Sequence, residues 1–170
     1  MAEPGLAPPL RVERLGPEAW RTYRDVRMAA LIDSPRAFWT TYAEAAARDD
    51  ASWQQYASTG PATWLAVDEG RPVGTVGLFA AEELAPGEVY LVGMWVAAPA
   101  RGSGAAEALV DAALAHAADA GFRRVVLDVA RENTRACRFY LRRGFALTGE
   151  TGTMPWDPSC VEVRMARDLP

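Results

Sequence analysis

The stretch from residue 88 to residue 129 limits what this chain can fold into more than any other. Glu88 to Val96 is almost wholly apolar, and a strand apolar on both faces belongs in the middle of a covered sheet. A turn of small residues follows. From Ala105 to Ala120, Leu109, Val110, Ala113, Leu114 and Ala117 then fall on one broad helical face, and Gly121 stands where a helix stop is expected. Arg124 to Val129 is a second apolar strand. Strand, helix and strand in so short a span close as a parallel pair with a right-handed crossover.

The rest of the chain arranges itself around this unit. Leu10 to Leu15 alternates as a short strand, and Pro17 sits at the first turn of a helix whose residues Trp20, Tyr23, Met28 and Leu31 share one side, ended by Asp33-Ser34-Pro35. A second helix is expected from Pro35 to about Arg48 with Ser34 as its cap, and a third, weaker helical stretch lies at Ala51 to Ala57. Thr63 to Val67 and Val73 to Phe79 flank Asp68-Glu69-Gly70-Arg71 and read as a hairpin. Glu132 to Arg143 reads as a helix ended by Gly144. The chain closes with strands at about Phe145 to Thr151 and Val161 to Arg167, joined by a loop holding Pro155, Trp156 and Pro158. The expected fold is α/β (α+β): a mixed, mainly antiparallel seven-stranded sheet with a central parallel βαβ unit and helices on both faces. Neither a repeat nor a linker divides the chain, so residues 1–170 are expected to form one domain, with residues 1–9 a flexible start.

Composition removes several function classes. All 18 basic residues are arginine, so a P-loop lysine and a Schiff-base lysine are both absent. With one histidine, His116, and two cysteines, Cys137 and Cys160, soft ligands are too few for a clustered zinc site, and no metal is expected. A net charge of -4 opposes a general nucleic-acid surface. No run approaches the roughly 18 apolar residues of a membrane span, and the first residues lack a basic-then-apolar leader, so the expectation is a cytoplasmic protein without a membrane partner.

Two segments carry chemistry. The turn Ala97-Ala98-Pro99-Ala100-Arg101-Gly102-Ser103-Gly104-Ala105-Ala106 opens a helix with small residues. Such a turn either simply starts and packs a helix, or lets the backbone approach a phosphate at the positive end of the helix dipole. A P-loop is ruled out by the missing lysine, and a dinucleotide fingerprint by Glu107 where its third glycine should stand. The second segment runs from Asn133 to Phe145. Asn133 and Tyr140 are seven residues apart, about 20° around a helix, so an amide and a phenol share one face. They either cap the helix and fill the core, or present a ligand with a hydrogen-bonding group and a proton donor whose reference pKa is about 10. Arg131, Arg135, Arg138 and Arg142 fall on roughly the opposite side and read as a solvated face.

In this order, an apolar strand, the Arg101-Gly102-Ser103-Gly104-Ala105-Ala106 helix start, a second apolar strand, then Asn133, Ala136, Phe139, Tyr140 and Gly144-Phe145, the chain resembles the GNAT superfamily of acyl-CoA-dependent N-acyltransferases over about residues 10 to 168. One departure is that Pro99 stands two residues before Arg101, where that loop commonly has three. The resemblance implies that acetyl-CoA is the co-substrate and that Arg101, Gly102, Ser103, Gly104, Ala105 and Ala106 hold its pyrophosphate through backbone N–H groups. It also implies that Met94, Trp95 and Val96 pair with the pantetheine arm as an added strand, with Gly93 a bulge position. Asn133 would bond the pantetheine and Tyr140 would protonate the leaving thiolate. Direct attack by an amine leaves Cys137 and Cys160 no nucleophilic role.

A base must also take a proton from the amine. Glu88, at the start of the central strand, is the candidate, set against its reading as a solvated strand-end charge; Glu82, Glu83 and Glu150 are weaker alternatives. Asp128, inside an apolar strand, needs a partner, and His116 reads as packing or surface. Substrate selection in this resemblance falls to Asp33, Phe38, Trp39, Tyr42, Glu44 and the Trp156 loop, with two of the three aromatics at 38 to 42 expected in the core. The implied acceptor is a primary amine of a small molecule or peptide, with a homodimer a possible assembly. An enzyme that detoxifies an antibiotic or other xenobiotic amine, and a non-catalytic acyl-CoA-binding regulatory module, are the competing expectations.

Overall fold

A computed structural model describes residues 9–170, so all but the last residue of the expected flexible start lies outside the described residues. One seven-stranded sheet runs through the molecule in the order β1-β2-β3-β4-β5-β7-β6. Its strands are β1 (Arg11–Arg14), β2 (Ala62–Asp68), β3 (Arg71–Phe79), β4 (Glu88–Val96), β5 (Arg124–Ala130), β6 (Ala146–Met154) and β7 (Asp157–Asp168). Only β4 and β5 pair in parallel, and every other neighbour is antiparallel. The β2–β3 hairpin turns on Glu69 and Gly70, both with positive φ (48° and 77°), the two-residue turn whose twist suits flanking strands.

Helices cover both faces. On one side lie α4 (Ala105–Asp119) and α5 (Thr134–Arg142); on the other, α1 (Trp20–Asp33), α2 (Tyr42–Ala46) and α3 (Asp50–Thr59). Alternation along β2 shows the two cores directly: Trp64 and Ala66 pack with Leu109, Val110 and Ala113 of α4, while Leu65 and Val67 pack with Tyr23, Leu31 and Trp53. The apolar face expected for α4 is the buried one, and Leu109, Val110, Ala113 and Ala117 are fully buried.

The single helix expected over Pro35 to Arg48 is broken. A 3-10 turn covers Pro35–Ala37, Phe38 is extended (φ -128°, ψ 150°), and α2 begins afresh behind Thr41. Thr41 and Glu44 form a reciprocal capping box, a strong local start signal. Tertiary bonds hold the gap open: the Phe38 carbonyl accepts from Trp156 Nε1 (2.8 Å) and the Trp39 indole donates to Glu162. Ser34 makes no side-chain cap; its hydroxyl donates to Asp33. The weak stretch at 51–57 is the full helix α3, capped by Asp49, whose carboxylate accepts from Ser52 N–H. The final strands extend to a turn at Pro155-Trp156, so Pro158 lies at the start of β7 within an irregular register.

Candidate active site

β4 and β5 are partners only from Glu88 to Tyr90 against Arg124 to Val126; beyond that they part. β4 pairs with β3 from Tyr90 to Val96, but its register shifts between the Gly77↔Val92 and Thr75↔Trp95 pairs. Gly93, at φ 62°, sits inside this bulge, as expected for that position. Between the parted strands lies a cleft of about 340 Å³, bounded by Tyr90 to Met94 on β4 and Leu127 to Ala130 on β5. Backbone groups of β4 on this side have lost their strand partner within a covered sheet, where unpaired N–H and C=O groups are costly.

The loop that follows β4 is organised by its own backbone. A 3-10 turn covers Ala98–Ala100, Arg101 N–H donates to Ala98 O (3.3 Å) and Ser103 N–H to Ala100 O (3.2 Å). Gly102 and Gly104 take φ of 84° and 91°, the left-handed region that glycine enters at no steric cost. Among the described residues, the N–H groups of Gly102, Gly104, Ala105 and Ala106 are left without a backbone partner. A Cβ on either glycine would meet nothing within 4 Å, so the space over this cradle is open. Open space and unpaired N–H groups at a helix start suit a pyrophosphate. The N–H groups of Arg101 and Ser103 are already used within the turn.

The Arg101 side chain turns inward. Its Nε donates to Val96 O (3.0 Å) and its Nη2 to the Asp33 carboxylate, which also accepts from Trp95 Nε1 (3.0 Å). Asp33 therefore ties the end of α1 to the end of β4 and to the loop. The Trp95 indole, then Ser34 and Arg101, hold its carboxyl below the usual range.

Across the cleft, α5 presents Asn133, Ala136 and Tyr140. The packing alternative raised by the spacing holds, and both residues also face the cleft. Asn133 caps α5, its Oδ1 accepting from Ala136 N–H (3.2 Å), and lines the cleft. Tyr140 is core, packed edge-on against Phe139 and Phe145, and also lines the cleft. Burial, with a smaller push from Cys137, raises its phenol well above the ordinary value, so it keeps its proton at any physiological pH. Neither cysteine is activated: burial raises both thiols.

Glu88 is not brought to this cleft. It lies at the closed end of the β4–β5 pair, accepting from Ala85 N–H (3.3 Å) and 3.8 Å from Arg124. The cleft wall carries Glu83, one of the weaker alternatives, together with Glu162, which the sequence reading missed; Glu162 sits on β7, is 4% exposed, and both its oxygens accept from Trp39 Nε1 at 2.9 Å. Alternation in a half-covered strand was its only signal. Asp128 has the partner it needs in Arg164 (2.9 and 3.0 Å), which also bonds the Tyr90 hydroxyl. Of the three aromatics at 38 to 42 only Phe38 is core, since Trp39 and Tyr42 are 57% and 47% exposed. His116 is an exposed residue on α4 whose ring meets Trp64 edge-on. Arg131, Arg135, Arg138 and Arg142 are exposed, as a solvated face should be. The described residues contain no cluster of metal-ligating side chains and no helix long and apolar enough to cross a membrane.

This arrangement can be set beside known proteins. Residues 27–145 match the acetyltransferase (GNAT) family, and the chain belongs to that family. It is 35% identical to human N-acetyltransferase 8B over 123 residues, 69% of this chain and 54% of that protein. It is 34% identical to mycothiol acetyltransferase of Cellulomonas flavigena over 155 residues, 85% of this chain and 42% of that protein. The chain thus spans about half the length of these curated relatives. In fold it matches a GNAT-family acetyltransferase from Streptococcus pneumoniae at a TM-score of 0.74 and 18% identity, over 95% of this chain and 99% of that one.

Proposed function

We propose that this protein is an N-acetyltransferase that moves the acetyl group of acetyl-CoA directly onto a primary amine of a small molecule or peptide. The observation that carries the reading is the parting of β4 from β5, which sets an unpaired strand edge, Asn133 and Tyr140 around one cleft, with the Gly102–Ala106 cradle at the end of the same strand. The cradle would hold the pyrophosphate through the N–H groups of Gly102, Gly104, Ala105 and Ala106. Arg101, through its side chain, and Ser103 fix the turn that shapes it. Met94, Trp95 and Val96 would offer their backbone to the pantetheine arm, and Asn133, whose Oδ1 is already engaged, would donate from its amide nitrogen. Acetyl-CoA supplies an acyl carbon activated by its thioester. Tyr140, protonated at neutral pH, would give its proton to the departing sulfur. Glu88, outside the cleft, has no proton-transfer part in this reading.

Thermal melting with and without acetyl-CoA, together with thiol release across a panel of primary amines, tests it. A ligand bound only by the folded state at a hundredfold excess over Kd adds about 2.7 kcal/mol, a rise of about 5–10 °C for a chain of this size. NAD and ATP should raise Tm less, and at least one amine should release thiol. Equal shifts with all three nucleotides, or no shift with acetyl-CoA, would contradict the cofactor; a shift without turnover on any amine would favour a binding module.

A further inference from the structure

We propose that Glu162 receives the acceptor's ammonium group and takes its proton, that Trp39 is its positioning residue, and that the acceptor is a primary amine on an aromatic body. The proposal rests on the acetyl-transfer reading above.

Among the described residues, Glu162 is the one charged side chain in the buried set. A buried carboxylate needs compensation. Among the described residues its side chain's only hydrogen bonds are from the Trp39 indole, and no cationic nitrogen lies within 4 Å of it. The neighbouring cation on its own strand, Arg164, is committed to Asp128 and Tyr90. The cleft wall therefore holds a buried carboxyl group with no cationic nitrogen of the described residues within 4 Å, beside open space. An ammonium group completes it. Trp39 and Phe79, 57% and 42% exposed, stand at the same cleft and offer flat apolar surface to the body that carries the amine.

The step is a proton transfer. An N–H bond of the ammonium breaks, an O–H bond forms on Glu162, and the bonding pair stays on nitrogen as the lone pair that attacks the acyl carbon; the carboxyl later returns its proton to water. Burial moves the Glu162 carboxyl up, the Trp39 N–H opposes this, Asp128 adds to it and Arg164 opposes it. The other charged or titratable groups at the cleft are Tyr90 on β4, Glu83 before it and Arg27 on α1, with Glu150 of β6 3.9 Å from Arg164. Because the indole N–H favours the charged form, removing that N–H while a phenylalanine ring keeps the carboxyl covered should move the Glu162 titration to higher pH. Activity needs the carboxylate, so the acid limb of the kcat/KM profile must move the same way.

2-Phenylethylamine is the probe. In wild type, the acid limb of kcat/KM should coincide with the titration of the Glu162 carboxyl carbon followed by 13C NMR in the protein alone, assigned by difference with Glu162→Gln. Glu162→Gln should lower kcat/KM by about 10²–10⁴-fold, abolish that limb, and keep the wild-type melting shift with acetyl-CoA. Trp39→Phe should move both limb and carbon titration upward, a displacement that a purely structural tryptophan would not cause. Weaker binding of 2-phenylethylamine to cofactor-free Glu162→Gln than to wild type, by NMR titration, completes the expected pattern. If Glu162→Gln does not fold, Trp39→Phe decides alone through the two coincident displacements. Retention of kcat/KM within about threefold in folded Glu162→Gln, a carbon titration untouched by Trp39→Phe, or no binding of the probe to wild type would each overturn the proposal. Failure of the acetyl-transfer reading looks different: acetyl-CoA then gives no melting shift, while the carbon titration and probe binding still report on Glu162.

Discussion

From Glu88 to Tyr90, β4 pairs with β5, and from Tyr90 to Val96 it pairs with β3, so beyond Tyr90 it keeps β3 and has lost β5. At the first end the edge facing β5 is answered by protein, and Glu88 accepts from Ala85 N–H and lies 3.8 Å from Arg124. At the second end the edge is open, a bulge at Gly93 re-aims the strand, and the residues around it belong to other elements: Tyr140 and Asn133 from α5, Glu162 from β7, Trp39 from the gap before α2. One strand is thus closed by β5 over its first residues and open on that side over the rest. A carboxylate's place along that strand decides whether it faces the cleft, whatever its chemistry.

The largest effect on this contrast should come from the open end. Tyr140→Phe keeps the ring that packs against Phe139 and Phe145 but deletes the proton donor, so kcat should fall about 10²–10⁴-fold while acetyl-CoA affinity changes little. The loss should shrink with an activated thioester, whose leaving group needs less protonation. Steady-state kinetics and calorimetric titration read the two quantities separately; an unchanged kcat with acetyl-CoA would return Tyr140 to the core alone.

Gly104→Ala should have a smaller effect, and on stability first. A Cβ there meets no atom within 4 Å, so crowding is not the issue, but φ of 91° is strained for any L side chain. A cost of about 1–2 kcal/mol is expected, read as a Tm lowered by about 2–4 °C for each kcal/mol. A variant as stable as wild type would mean that the cradle's backbone is not held in this conformation.

Glu88→Gln, at the closed end, should do least. It removes a charge from a local strand-end network, so stability should move by about 0.5 kcal/mol or less and kcat should show no loss on the scale of a missing base. A hundredfold fall in kcat with affinity intact would place the proton acceptor at the wrong end of the strand for this account.

Much of this was legible in the letters, and for physical reasons. The βαβ unit stands out because both strands are apolar on both faces and the helix between them has one continuous stripe, so periodicity and burial agree. Asn133 and Tyr140 were legible because helical spacing puts them on one face wherever the helix goes. The break at Phe38 was not, because it is held by Trp156 and by Glu162, partners more than 100 residues away in sequence (118 and 123). Glu162 was hidden for the same reason: a lone glutamate alternating with Val161 and Val163 looks solvent-facing until the fold shows Trp39 over it. Glu88 was misleading because its sequence position, at the start of the central strand, carries no information about where β5 parts from β4.

Amide hydrogen exchange with and without acetyl-CoA addresses that parting most directly. The account predicts that acetyl-CoA slows exchange in the Leu91–Val96 half of β4 and in the Gly102–Ala106 cradle, where N–H groups gain a ligand as partner, and leaves Glu88 to Tyr90, the stretch paired with β5, as they were. Protection spread equally over both ends of β4, or absent from its open end while acetyl-CoA is bound, would contradict it.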